Sequence, residues 1–217
     1  MIMRTVLLAG ASLALSGCVN LLPRAEPAAV YRLSAPEPSG NFSTDQTVVS
    51  VEVPLTPRAL SNDDVAISLA RGELAFIEGA KWIAPVPRMV QDLIVEAIDA
   101  YEPSLAAARP DDGVRAEYEI NTEVRAFEAV YANGEEAAPT AVIRVRVRLV
   151  RLDGRILVGV HAVGAQALAS DNRIGEIVAA YDAAAQETAS EIADWAADRI
   201  AADQQSLAAT TAEDAAD

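Results

Sequence analysis

Val49, Val51 and Val53 alternate with Ser50 and Glu52 until Pro54 ends the run, which predicts a half-buried strand starting near Thr47. A turn through Pro57 to Asp64 leads to a second alternation, Val65, Ile67 and Leu69. Arg71-Gly72-Glu73 then turns the chain into the apolar run Leu74 to Ile77. At Pro87 the period changes. Val86, Met89, Val90, Leu93, Ile94, Ala97, Ile98 and Tyr101 fall at three-four spacing, the apolar stripe of a helix with proline in its first turn and Pro103 as its stop. Period two returns from Val114 to Ala126, with Tyr118, Ile120 and Val124 on one face and Glu117, Glu119 and Glu123 on the other. A matching strand over Thr140 to Leu152 sets Ile143, Val145, Val147 and Leu149 against Arg144, Arg146 and Arg148. Asp153-Gly154 reads as a two-residue hairpin turn into Ile156 to Leu168, a strand apolar on both faces and therefore expected to be covered on both sides. A second helix, capped by Asp171 or Asn172, carries Ile174, Ile177, Val178, Tyr181, Ala185, Thr188, Ile192 and Trp195 on its inner face. It fades after Ile200. Strands, helix, three antiparallel strands and helix predict an α+β fold, a mostly antiparallel sheet with two amphipathic helices packed on one face.

Before this pattern the chain is of another kind. Arg4 supplies a positive start, Val6 to Leu15 is an apolar run of small and aliphatic residues, and Leu15-Ser16-Gly17-Cys18 closes it. The run is too short for a bilayer, which needs about 20 apolar residues, and fits a removable signal. Leu15 and the small Ser16 and Gly17 suit the peptidase, and the Cys18 thiol is the nucleophile that takes a diacylglyceryl group and then further acyl chains such as palmitate. Cys18 is the only cysteine, so no disulfide can form within the chain. Val19 follows it where an aspartate would signal inner-membrane retention, which points to the outer membrane, facing the periplasm. The expected organisation is a signal peptide over 1–17, a lipidated, proline-rich tether over 18–45, an α+β domain over 46–200 and a disordered acidic tail over 201–217. Within the tether, Val30 to Leu33 reads as a short edge strand.

Charge narrows the function. Thirty-two acidic residues against 17 basic ones give a net charge of −15, and cleavage before Cys18 makes it one unit more negative. Such a surface repels nucleic acid, which is excluded as a partner. Catalytic chemistry finds little support. His161, the single histidine, sits in an apolar strand and reads as a buried neutral residue; one histidine and a lipidated cysteine do not make a zinc site. No nucleophile elbow, phosphate loop, HExxH or EF-hand spacing occurs. The adjacent carboxylates Asp63-Asp64, Asp111-Asp112 and Glu135-Glu136 fall in turns and read as solvated loop residues. No cofactor and no metal is expected. The row Arg144, Arg146 and Arg148 has two readings: cross-strand pairing with Glu117, Glu119 and Glu123, which is favoured, or a surface for an acidic partner or a phospholipid head.

The segment Gly79-Ala80-Lys81-Trp82-Ile83-Ala84-Pro85-Val86-Pro87, read as "EGAKW" before a proline-bounded "PRMVQDLIVEAID", carries a resemblance. With the Cys18 lipobox, Tyr31-Arg32-Leu33, the "VSVEVPLTPRALSNDDVAISL" stretch and a final helix containing tryptophan, it resembles the ABC-type transport auxiliary lipoproteins from about Cys18 to Ile200. Val65-Ala66-Ile67 departs from the aromatic-rich strand those proteins often show. The resemblance implies a non-enzymatic outer-membrane partner of an MCE-type (mammalian cell entry) lipid transport system. Its partners would be a periplasmic MCE protein with an inner-membrane permease and ATPase, and some such lipoproteins form homo-oligomeric rings. Trp82 and the strand Ile156 to Leu168 are then candidate partner surfaces alongside the arginine row, although a tryptophan before a helix is more often a core anchor, the reading favoured for Trp82. The competing functions are an assembly factor or chaperone for another envelope complex, and an envelope hydrolase with an unfamiliar site.

Overall fold

The computed structural model describes residues 27–36, 43 and 45–215. The expected signal peptide, Leu15, Ser16, Gly17 and Cys18 lie outside the described residues. Helix α1 (Val86–Tyr101) begins where its prolines dictate: Pro85 precedes it and Pro87, lacking an N–H, sits in the first turn, where that donor has no intrahelical partner to lose. Met89, Val90, Leu93, Ile94, Ala97 and Ile98 are buried as one stripe. Gln91 is buried with them because its amide is satisfied: Nε2 donates to the Val51 carbonyl at 2.8 Å, and Oε1 accepts from Arg88 at 3.1 Å.

The strands β1 (Ala29–Tyr31), β2 (Thr47–Val51), β3 (Asp64–Ser68), β4 (Leu74–Trp82), β5 (Leu105–Ala108), β6 (Tyr118–Val130), β7 (Thr140–Arg151) and β8 (Ile156–Leu168) form one mixed sheet. β6 is its spine. Along one edge it pairs antiparallel with β7 over its full length, and β8 continues that ladder antiparallel at the outside. Its other edge is shared end to end by two parallel neighbours, β2 beside Tyr118–Ile120 and β3 beside Ala129–Val130. β5 extends the sheet beyond β2, and β4 then β1 extend it beyond β3. The long ladders are antiparallel and the parallel ones short. Helices α1 and α2 (Ile174–Asp214) pack against each other and against one face of the sheet, so the architecture is α+β.

Several elements differ from what periodicity predicts. β6 lies four residues later than the 114–126 alternation, and Val114 is left 56% exposed. A bulge between Val124 and Ala126 switches the buried set from Tyr118, Ile120 and Val124 to Phe127 and Ala129, which hid the second half of the strand from a period-two reading. β5 was not foreseen, because three of its four residues are alanine; parallel pairing to β2 and the Gln46 amide on the Leu105 carbonyl at 2.8 Å hold it. The hairpin after β7 spans four residues, 152–155, between the paired Arg151 and Ile156, with Gly154 at φ 71°. Neither Asp171 nor Asn172 caps α2, whose N-cap is Arg173. The Asn172 side chain instead accepts from the Tyr131 hydroxyl and donates to the Glu135 carbonyl, both at 2.7 Å.

Two boundaries shift as well. The stretch assigned to a tether contributes β1, which pairs with Ala80–Trp82, and the Ser34 N–H donates to Asp182 of α2 at 2.6 Å. The tail expected to be disordered from 201 continues α2 to Asp214. Alanine, glutamine, leucine and glutamate favour a helix, and extending an existing one needs no nucleation. This extension is clamped to the sheet. Asp203 accepts from Arg151 Nη1 at 2.8–2.9 Å and from the Tyr118 hydroxyl at 2.9 Å, with both charged side chains about 15% exposed. Asp203→Ala strands Arg151 and should lower unfolding stability by about 2–3 kcal/mol in urea titration. A change below about 0.5 kcal/mol would show that the clamp does not hold the helix down.

Candidate functional site

β7 turns Val145, Val147 and Leu149 toward the helices, so Arg144, Arg146 and Arg148 lie on the opposite, solvent-facing side of the sheet. Register decides what they meet. On β6 the residues directly opposite are Ala126, Glu123 and Asn121. Glu119 faces Val150, and Glu117 lies beyond the last pair. The expected ladder of ion pairs with Glu117, Glu119 and Glu123 therefore does not form. Only Glu123 stands opposite an arginine, and its carboxylate is taken by Arg125, one bulge away, at 3.0 Å. Glu119 accepts from Asn121 at 2.7 Å. Among the described residues Arg144, Arg146 and Arg148 have no ion-pair partner, although the chain carries 32 carboxylates.

On the other side of β7 the opposing residues are small or apolar. Gly164 faces Arg144, Ala162 faces Arg146 and Val160 faces Arg148. A Cβ at Gly164 would come within 2.4 Å of the Ile143 carbonyl and 2.9 Å of Arg144 Cγ, so the arginine stem lies directly over bare backbone. The result is a shallow groove of about 400 Å³ lined by Arg125, Arg144, Arg146, Ala162, Gly164 and Gln166. β8 was expected to be covered on both faces. One face is: Val163 and Ala165 are buried toward the helices. The other is open, with Leu157 at 56% and Leu168 at 69% exposure. Alanine and glycine made that face look apolar in sequence, but residues so small demand little burial.

Trp82 follows the core-anchor reading, and the partner-surface alternative is the one that falls. The side chain is 2% exposed and cannot be a partner surface in this state. Its ring packs edge-on to Phe127 at 5.9 Å and to Tyr181 at 5.1 Å, joining β4, β6 and α2 in one aromatic cluster. The neighbouring Lys81 bridges Asp63 at 3.0 Å and Asp64 at 2.6 Å, and its hydrogen bond holds the Asp63 carboxyl below the usual range. Those two aspartates are thus tied to β4 rather than free in a loop. His161, expected to be buried, is half-exposed. It hydrogen-bonds Glu191 at 3.0 Å and stacks on Trp195 at 5.4 Å, which fastens β8 to α2.

Two further grooves are already committed. One of about 420 Å³ contains Arg115, Glu117 and Arg151, the last held by Asp203. Another of about 350 Å³ contains Arg32 beside Asp92 and Glu96, and Asp92 is held by Arg109 at 2.7 Å. Among the described residues no helix is long and apolar enough to cross a membrane.

Where α1 ends against α2, Glu102 meets Asp194 and Asp198. Burial, then the hydrogen bond and charge of Asp194, push its carboxyl up to about 6. Because the folded value lies above that of an unfolded glutamate, folding takes up a proton between about pH 4.5 and 6, and stability falls as pH rises through that window. Glu52, Glu96 and Asp99 are raised as well, each chiefly by burial. The melting temperature should therefore rise on acidification from pH 7.5 to 5.5. Glu102→Gln should raise it at pH 7.5 and flatten the profile; an unchanged profile would remove Glu102 as the cause.

A family model described as the ABC-type transport auxiliary lipoprotein component matches residues 31–193. No curated protein matches the chain. Among solved structures, a Xanthomonas campestris protein of the DUF330 family superposes with a TM-score of 0.73 at 23% identity, over 82% of this chain and 99% of that one. A second crystal structure, of an uncharacterised protein, gives a TM-score of 0.62 at 17% identity, over 79% of this chain and 97% of the other. Both similarities establish the fold.

Proposed function

The chain belongs to the ABC-type transport auxiliary lipoprotein family, and from that premise we propose that it is the docking or conduit subunit of an MCE-type lipid transport system, without chemistry of its own. The observation that carries the reading is the row Arg144, Arg146 and Arg148, lacking ion-pair partners among the described residues on an open sheet face of a strongly acidic protein. Opposite charge at a surface patch steers a partner and fixes its register more than it adds affinity, which suits a docking element. Acylated Cys18 would hold the protein on the outer membrane, and the chain before β1 would let the domain reach a periplasmic MCE protein. The permease and ATPase would reside in the inner membrane, and the ATPase would hydrolyse the nucleotide. A ring of several copies and a phospholipid cargo belong to the same reading.

The test is association and phenotype together. Tagged full-length protein, solubilised in detergent, should co-purify with the MCE protein of the same cell. Its deletion should give the same envelope-lipid or detergent sensitivity as deletion of the MCE gene, and the purified protein should hydrolyse neither lipid nor glycan. A different phenotype with no physical association would remove the transport reading and favour the assembly factor.

A further inference from the structure

β8 is an outer strand of thirteen residues with no aspartate, glutamate, lysine, arginine or proline, and among the described residues it is hydrogen-bonded to β7 on one side only. Proteins ordinarily blunt such an edge with lysine, proline or a bulge near its middle, because its free N–H and C=O groups template the pairing of another strand. On the helix-covered face Glu191 meets His161 and the Arg199 stem lies over Gly159, but on the open face the nearest charges are one strand away. Arg144 and Arg146 lie opposite Gly164 and Ala162, the two smallest residues of the exposed face of β8. Nothing bulky separates their guanidinium groups from the space beyond the edge.

We propose that the β8 edge and the arginine groove form a strand-addition site for an extended segment of a partner protein that bears carboxylates at alternate positions. A strand added beside β8 would sit about 10 Å from β7, two strand spacings away. Its outward side chains would stand in line with Gly164 and Ala162, where an arginine reaching across and a glutamate reaching back can meet. Backbone hydrogen bonds supply the affinity in this mode and alternate side chains the specificity. The edge backbone, the gap in the side-chain row and the arginines without ion-pair partners among the described residues then serve one ligand. A second copy of the chain fits less well. The other outermost strands, β1 (Ala29–Tyr31) and β5 (Leu105–Ala108), carry no carboxylate to offer the arginines, and neither does β8 itself. An anionic lipid head would satisfy the arginines but leave the strand edge and the exposed Leu157, Val160 and Leu168 without a role. The inference names the partner chemistry of the docking surface proposed above and rests on that reading.

The probe is a short synthetic peptide alternating valine and glutamate, titrated into full-length protein in neutral detergent. Controls are the same peptide with lysine for glutamate, and with alternate backbone nitrogens methylated. Binding should weaken about tenfold or more for each control and for the Arg144→Gln/Arg146→Gln protein. Ala162→Glu, at an exposed position, should weaken it similarly by placing a carboxylate among the arginines, with the melting temperature confirming that the variant folds. Equal binding of the glutamate and lysine peptides, or indifference to backbone methylation, overturns the proposal. So does tight binding of phosphatidylglycerol vesicles that the peptide does not displace, which would give the groove to a lipid head. A peptide that fails to bind while Ala162→Glu breaks up an oligomer of the chain would give the edge to a second copy. If the peptide fails but the transporter still co-purifies, docking occurs through another surface; if both fail, the transport reading itself is lost.

Discussion

Cys18→Ala should move the protein from the membrane fraction to the soluble fraction, or leave an uncleaved precursor, and abolish its labelling by a palmitate analogue. The argument is one of hydrophobic free energy. A single acyl chain gives only marginal binding, whereas the three normally carried by a bacterial lipoprotein contribute about 0.8 kcal/mol per buried methylene and make release negligible on a cellular timescale. No other feature among the described residues would take over. None of their helices can cross a bilayer, and a net charge of −15 is repelled by anionic headgroups. On the proposed anchoring the acyl chains of Cys18 carry the whole attachment, and the expected effect is all or none. Fractionation should be repeated in cells lacking the proposed MCE partner. A Cys18→Ala protein that still sediments with outer membrane there would show that something other than the acyl chains holds it.

How much could be read from sequence depended on whether a residue's environment was set locally. Helix α1 was legible almost to the residue because prolines at 85, 87 and 103 fix its ends and its stripe has a clean period. β7 was legible from its clean alternation and β8 from the Asp153-Gly154 turn before it, as was the α+β class. What failed was everything that needed register. The acidic row of β6 and the basic row of β7 alternate in step along the sequence, yet the register with which β7 returns along β6 puts Asn121 opposite Arg148 and Val150 opposite Glu119, and the bulge at Val124/Ala126 puts Ala126 opposite Arg144. Periodicity says which face a charge occupies and nothing about which residue stands opposite it. The candidate surface was therefore found for the wrong reason: the arginines were named, but the pairing favoured for them does not exist. Coupling between Arg146 and Glu119, natural to expect from sequence, has no basis when Glu119 faces Val150. β8 shows a second kind of failure. Alanine and glycine score as apolar, so a strand whose exposed positions include Ala162 and Gly164 looks like one that demands a cover. Trp82 was legible, since a tryptophan before a helix is more often a core anchor than a partner surface, and it is buried as one. Lys81 and Trp82 hold the fold together through Asp63, Asp64, Phe127 and Tyr181.

That last assignment leads to the second large effect. Trp82→Ala should destabilise the domain by about 3–5 kcal/mol, the range for deleting a large buried aromatic, enough to leave many proteins of this size largely unfolded. The side chain is 2% exposed and meets Phe127 and Tyr181 edge to face, so removing it opens a void where β4, β6 and α2 converge. The Tyr181 hydroxyl, which donates to the Ala66 carbonyl, would lose the ring that positions it. Trp82→Phe should behave quite differently. Among the described residues the buried indole Nε1 has no hydrogen-bond partner, so phenylalanine sheds an unsatisfied donor along with some volume. An unpaired buried donor costs about 1–3 kcal/mol, which offsets much of the lost packing and should keep the net change within about 1.5 kcal/mol. Arg146→Gln supplies the contrast, since an exposed substitution that breaks no ion pair should stay within about 0.5 kcal/mol. Urea unfolding of the three variants reads all of this at once. If Trp82→Ala proved as mild as Arg146→Gln, the aromatic cluster would not be the core anchor, and a tryptophan that is dispensable for folding would again have to be explained by a partner.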